Sequence, residues 1–355
     1  MHKHNFFCKS PLTNMSHMNL FLIRQMYLCL WNANASCSDF RPTTSSVLLF
    51  LFEAVVISLT VCGNLVVIIS ISHFRQLHTP TNFLILSLAV ADMLVGMILL
   101  PVQFTSTYMC WHLGTELCIF YGMCSLHFTF VSIYNVCLIS LDRFYALSHP
   151  LLYPNKMTLK LNALLICTNW LVSFAYNLVY FYFSGNFTMD MSVCPGECGF
   201  YVDENWSIVD FFFVFVFPCS VITLVYLAIF SIVRKHAKTI RCAREQNRAL
   251  GGKQGAQHVP GASVTKAAKN LGVLVLFFLM CLLPYFISIV ISGDSQKRAM
   301  DDAVAATKIV LLLNSTINPI IYALLYPWFQ KCVKLIFTLK VCSSDSSLIN
   351  VLKKN

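Results

Sequence analysis

Four ionisable side chains stand inside stretches that are otherwise almost free of charge: Glu53, Asp92, Asp210 and Lys308. A carboxylate or ammonium in apolar surroundings costs roughly 2.5–3.5 kcal/mol on insertion scales unless it is satisfied, so each one marks a place where an opposite charge or a polar network is held. Asp92 can be satisfied by Asn64, Ser132, Asn314, Ser315 and Asn318. Bond-making chemistry has no such signature. No H-E-x-x-H, G-x-S-x-G or Gly-rich phosphate loop occurs, and the ten His are scattered. His127 reads as a packed or lumen-facing histidine. The sixteen Cys lack the paired C-x-x-C spacing of a zinc module. The chain therefore reads as a binder of charge and not as an enzyme.

The elements that must carry these residues are long and apolar. Of 355 residues, 57% are hydrophobic and 11% charged, against about 25% charged in a soluble domain. Seven segments are long enough to cross a bilayer core of about 30 Å. They run from Ser46 to Ser70, Asn82 to Gln103, Cys118 to Leu141, Leu161 to Phe183, Asp210 to Val233, Asn270 to Ile291 and Ala303 to Tyr326. The fold class is an all-α membrane protein, a seven-transmembrane helix bundle.

Most of the 25 Lys and Arg, among them Arg75, Arg143, Lys156, Arg234, Lys269 and Lys334, fall on one side of these spans. That side is cytoplasmic by the positive-inside rule. The N-terminus is then extracellular and the C-terminus cytoplasmic. The net charge of +10 reports orientation, and no nucleic-acid partner is expected. No signal peptide is evident, so the first span serves as signal-anchor, with Met18 and Met26 as alternative starts. The domains are an N-terminal segment over 1–45, the bundle over 46–326 and a helix with tail over 327–355. After Pro327, Phe329, Val333, Ile336 and Phe337 alternate with Lys331, Lys334 and Lys340, the pattern of a short amphipathic eighth helix on the lipid bilayer. Cys332 or Cys342 suits palmitoylation there.

Each span also carries a motif: Gly63-Asn64, Leu88-Ala89-Val90-Ala91-Asp92, Asp142-Arg143-Phe144, Trp170, Pro218, Phe278 with Pro284, and Asn318-Pro319-Ile320-Ile321-Tyr322. This ordered set resembles the rhodopsin-like (class A) G-protein-coupled receptors. The run Asn314 to Phe329, with Asn34-Ala35-Ser36-Cys37 and Cys194-Pro195-Gly196-Glu197-Cys198, is similar to the trace amine-associated receptors, while other aminergic receptors share the span motifs but less often this cysteine pattern.

The resemblance implies a plasma-membrane receptor for a small amine, an olfactory trace amine or a polyamine. Its partner would be a heterotrimeric G protein of the stimulatory or olfactory type that raises cyclic AMP. It implies disulfides Cys118–Cys198 and Cys37–Cys194, a sodium ion in the Asp92, Ser132, Asn314, Ser315 and Asn318 cluster, and no other cofactor. A water-filled network without sodium is the alternative. Asn34 is a glycosylation acceptor. Asp142, Arg143, Phe278, Leu282, Asn318, Pro319 and Tyr322 match the family's activation positions. There Arg143 is a latch facing the G protein, although a plain positive-inside anchor explains an arginine at a helix end as well. Val264 replaces the acid that closes the latch in relatives, and Leu282 replaces the usual Trp, so activation is expected to run through Phe278 and Tyr285.

The usual amine anchor, an Asp eighteen residues before Arg143, is Ser125 here. Asp210, eight residues before Pro218, lies about 12 Å outward along its helix, at pocket depth. We expect it to bind the ligand ammonium, as resembles the teleost-type trace amine receptors; a cap on the fifth helix is the competing reading. Ser125, Leu126, Thr129, Tyr285 and Phe286 would line the pocket, whose aromatic rings suit a cation. Lys308, eleven residues before Pro319, also faces the cavity in the family. Either Glu53 neutralises it, or Asp210 takes an ammonium and Lys308 a carboxylate, making the ligand an amino-acid-like zwitterion.

Overall fold

The computed structural model of the protein describes residues 44–108, 111, 113–183, 198, 204–249, 261–292, 297–343 and 346–352. Seven helices among them are long and apolar enough to cross a membrane, and no strand occurs among the described residues. Helix α1 spans Thr44–His73. Helix α2 runs over Pro80–Leu94, a π turn at Val95–Leu99, and Leu100–Tyr108. Helices α3 and α4 span Gly114–Ser148 and Leu159–Phe183. Helix α5 comprises Glu204–Asp210, a second π turn at Phe211–Val216, and Phe217–Ala249. Helices α6 and α7 span Gly261–Ser292 and Lys297–Leu325. A short amphipathic helix, α8, covers Pro327–Phe337.

Local chemistry explains the breaks. Thr79 caps α2, its hydroxyl accepting from the Asn82 amide at 3.4 Å, and Pro80 occupies the first turn, where no N–H is needed. Tyr326 leaves the helical region with φ −113° and ψ 104°, and Pro327 then starts α8 at a new angle. Pro284 and Pro319 sit inside α6 and α7. Their lost backbone bonds are tolerated because the helices are held by neighbours.

Helices α2 and α3 are the most buried spans, while α4 and α5 turn most of their surface outward. That outward surface is rich in exposed Leu and Phe, such as Leu164, Phe174, Leu224 and Phe230. With no water in lipid to solvate polar atoms, Asn64, Asp92 and Asn318 are buried inside, while the exposed Ser220 and Thr223 return their hydroxyls to carbonyls of their own helix at 2.7 Å. One large core joins Val67, Leu88, Ile133, Ile222, Phe278 and Tyr322 through the centre of the bundle. A second fills the end that carries Cys118, with Leu99, Tyr121, Phe128 and Leu312.

Two placements differ from the sequence reading. Asp210 does not open the fifth helix: α5 already begins at Glu204 and Asp210 stands where its π turn starts. It therefore does not cap a helix end. Cys332 is fully buried against Phe74, Leu77 and Val351 and not offered to the bilayer surface. Burial pushes its thiol up to about 11. Cys342 lies in the turn Lys340–Cys342 that follows α8. Beyond it the tail returns to the loop between α1 and α2, where the Val351 amide donates to Gln76 Oε1 at 3.2 Å and His73 Nε2 pairs with Ser346 Oγ at 2.9 Å.

Candidate functional site

Asp210 is half-buried and accepts one hydrogen bond, 3.0 Å from the Tyr176 hydroxyl of α4 to its Oδ1. No basic side chain among the described residues pairs with Asp210. Beyond Tyr176 stand aromatic rings of α3. Phe130 stacks on Tyr134 at 4.3 Å and lies 5.5 Å from Tyr176. Tyr134 donates to the Phe213 carbonyl at 2.8 Å, satisfying a backbone acceptor within the π turn. Tyr285 lies within electrostatic range of Asp210, Lys308 and Tyr121, so it stands near both charges.

The other expected pocket residues divide by role. Ser125 is buried on α3 and carries no charge to anchor an ammonium; Leu126 and Thr129, on the same helix, are half-buried. Phe286 is buried and stacks on Phe215 of α5 at 4.4 Å, so it serves helix packing. His127 pairs with Ser173 at 2.8 Å and packs against Trp170 and Phe174.

Lys308 does not pair with Glu53. Its Nζ sits over the Tyr121 ring, 4.7 Å from the centroid, and the Tyr121 hydroxyl donates to Gln103 Oε1 at 2.6 Å. Such a ring contact stabilises an ammonium by about 0.5–2 kcal/mol and leaves its three N–H donors unused.

Deeper in the bundle, beside Ser315 and Asn318 of α7, Asp92 is fully buried. Its oxygens accept from Ser315 Oγ at 2.8 Å and Asn318 Nδ2 at 2.7 Å. Asn64 Nδ2 ties α1 to the Ser315 carbonyl at 3.0 Å, and Thr60 pairs with Thr316 at 2.6 Å. Gly63 makes this approach feasible, because a Cβ there would lie 2.8 Å from Pro319 Cγ. Buried oxygens without a partner among the described residues include Asn64 Oδ1, Ser132 Oγ, Asn314 Oδ1 and the Tyr322 hydroxyl. Oxygen ligands of this kind, together with a carboxylate, are those that a hard cation takes.

At the opposite end, Asp142 is fully buried and collects donors from Thr81 at 2.7 Å, Tyr153 at 2.8 Å and both Nε and Nη2 of Arg143 at 3.0 and 2.6 Å. Arg143 also contacts the Thr81 hydroxyl and reaches Tyr153 at 3.1 Å. It is thus clamped and not snorkelling freely. Burial raises the Tyr153 phenol, which keeps it protonated as a donor. A cavity of about 460 Å³ beside it is lined by Thr81, Arg143, Tyr153 and Tyr326. Phe278, Leu282, Asn318, Pro319 and Tyr322 are all buried between this end and the middle of the bundle.

Cys118 at the start of α3 and Cys198 between α4 and α5 form a disulfide, with Cα atoms 5.6 Å apart. The expected Cys37–Cys194 bridge and the Asn34 acceptor lie outside the described residues, as does the Val264 side chain. Tyr176, Tyr134, Tyr121 and Tyr153 were not among the expected site residues. The signal available was a hydroxyl on an aromatic ring within or beside an apolar span, but it does not say which helix that hydroxyl meets.

A helical bundle with buried charges at two depths and a clamped arginine at one end defines a seven-transmembrane receptor. The sequence model described as "7 transmembrane receptor (rhodopsin family)" matches residues 63–322. Trace amine-associated receptor 7c of Rattus norvegicus is 36% identical over 94% of both chains. Trace amine-associated receptor 13c of Danio rerio is 35% identical over 91% of this chain and 95% of its own, and trace amine-associated receptor 6 of Homo sapiens is 35% identical over 95% and 99%. The chain belongs to the trace amine-associated receptors within the rhodopsin-like G-protein-coupled family. It is accordingly a multi-pass membrane receptor and not an enzyme.

Proposed function

We propose that the protein is a plasma-membrane receptor whose extracellular cavity binds a small amine through Asp210 and whose cytoplasmic end signals through a heterotrimeric G protein of the stimulatory type, raising cyclic AMP. The observation that carries the reading is Asp210 itself: a carboxylate inside the bundle with one neutral donor, Tyr176, no basic partner among the described residues, and the Tyr285 ring within electrostatic range. An ammonium supplies the missing counter-charge, and ring faces favour it once partly desolvated. Ser125, in the place of the usual anchor, leaves Asp210 to act alone on that side. The asymmetry of Lys and Arg puts the Arg143 end in the cytoplasm, and the cavity beside Arg143 receives the G protein when the clamp opens.

A sodium ion fits the middle cluster. Asp92 would give the charge, and Ser132 and Asn314, whose oxygens lack partners, would complete the oxygen shell. When bound, the ion supplies a positive charge that neutralises the carboxylate. Ser315 and Asn318 hold Asp92 in position for it.

The test is a panel of mono- and polyamines against the parent and Asp210→Asn at equal surface expression, read by cyclic AMP. Losing one partner of a desolvated ion pair costs about 2–5 kcal/mol, so potency should fall from ~30-fold to several thousand-fold. An Asp210→Asn receptor that answers amines like the parent refutes the anchor.

A further inference from the structure

Lys308 is a charge within the spans that the amine reading leaves unused. It stands on α7, half-buried, its ammonium over the Tyr121 ring. No acceptor among the described residues hydrogen-bonds it, and no carboxylate among them pairs with it. An ammonium keeps three donors, and a ring face satisfies none of them. Glu53 was the side chain with the best claim to neutralise it, and the two do not meet. Asp210 does not pair with it either, although both lie within electrostatic range of Tyr285. Asp210 on α5 is thus an acid and Lys308 on α7 a base without a charged partner among the described residues, with the Tyr285 phenol of α6 within electrostatic range of both. For a simple monoamine, Lys308 is repulsive and gains nothing; for a diamine, the second ammonium makes this worse. A ligand that places its own carboxylate at Lys308 satisfies both charges at once.

We infer that the ligand is a zwitterion, an amino acid whose ammonium meets Asp210 and whose carboxylate meets Lys308 and its unused donors. This rests on Asp210 as the ammonium anchor and adds a second, oppositely charged subsite. Charged carboxylates accept such donors in short, strong hydrogen bonds. Tyr121 positions the lysine: its ring carries the stem's ammonium, and its hydroxyl is fixed by Gln103.

The experiment uses the full-length receptor in cells, with surface expression measured and cyclic AMP as readout. The probes are amino acids with the charges separated by one to seven carbons, each beside the monoamine and the diamine of matching chain length. The parent should respond to at least one amino acid ten or more times more potently than to its matched monoamine, with the diamine weakest. Lys308→Met should erase that preference by lowering amino-acid potency about 100-fold while monoamine potency holds or rises, a split that a purely structural role would not give. Lys308→Glu should reverse the order and favour the diamine, a gain that guards against variants that merely fold poorly. The inference is overturned if a surface-expressed parent ignores every amino acid, prefers the matched amines, or keeps its amino-acid preference in Lys308→Met. If instead Asp210→Asn leaves the response intact, the anchor beneath it falls as well.

Discussion

Gly63→Ala tests how closely α1 must approach α7. A Cβ at Gly63 would lie 2.8 Å from Pro319 Cγ and 2.9 Å from Pro319 Cβ. A proline ring inside a helix cannot swing aside, so the two helices must part until the contact is ordinary. That movement stretches Thr60 to Thr316, now 2.6 Å, and Asn64 to the Ser315 carbonyl, now 3.0 Å. Overpacking costs about 1–3 kcal/mol, and weakening two hydrogen bonds adds about 1–2 kcal/mol. Helix propensity opposes this, since alanine is favoured over glycine by about 1 kcal/mol. The net expectation is a destabilisation of about 1–4 kcal/mol. Gly272 in α6 provides the control: its added Cβ would meet Tyr226 Cε1 at 3.5 Å, an ordinary contact, so Gly272→Ala should be neutral or more stable by up to about 1 kcal/mol. Thermal denaturation of the two purified variants beside the parent measures both signs. A Gly63→Ala receptor as stable as the parent, or a Gly272→Ala receptor equally damaged, refutes the packing reasoning.

Exchanging potassium for sodium should raise the thermal stability of the parent, by about 1.4 kcal/mol at ten times the dissociation constant, and leave Asp92→Asn unmoved; equal responses count against the ion. Tyr153→Phe removes a 2.8 Å donor from Asp142 and a 3.1 Å partner from Arg143. With hydrogen bonds to charged groups contributing about 1.5–3 kcal/mol, ligand-free cyclic AMP should rise several-fold at matched surface level, and an unchanged basal signal contradicts the clamp. Cys198→Ser opens a link that joins residues 80 apart in sequence. The chain-entropy value for such a loop is about 4–5 kcal/mol, so mature receptor at the surface should drop sharply, and flow cytometry reading a parental level would disprove its structural role.

The spans were legible because charge is so scarce that its absence marks the lipid, and two of the five partners expected for Asp92, Ser315 and Asn318, were legible because they recur on one face of one helix. Cys118 to Cys198 followed from the family pattern. What failed was the relation between side chains on different helices. Glu53 and Lys308 looked like a pair because both are charges near the same end of the bundle, but helix rotation decides who meets whom, and Lys308 meets Tyr121. Phe286 was expected on the pocket wall because it follows Pro284, and the sequence did not show that its ring stacks on Phe215. Tyr176, the partner of Asp210, is one aromatic among many in α4, and only the packing of α4 against α5 singles it out.

The π turn at Phe211–Val216 carries one residue more than the α-helical count, held open where Tyr134 takes the Phe213 carbonyl. Each α-helical residue advances the azimuth by about 100°, so everything on the Cys118 side of that turn, Asp210 included, is offset by roughly one residue's rotation from where Pro218 would aim it. Aim is thereby separated from identity. A lineage that gained or lost a single codon between 211 and 216 would swing the carboxylate to another wall of the cavity without changing it, and an alignment that slides one gap across this stretch would compare anchors that point at different neighbours.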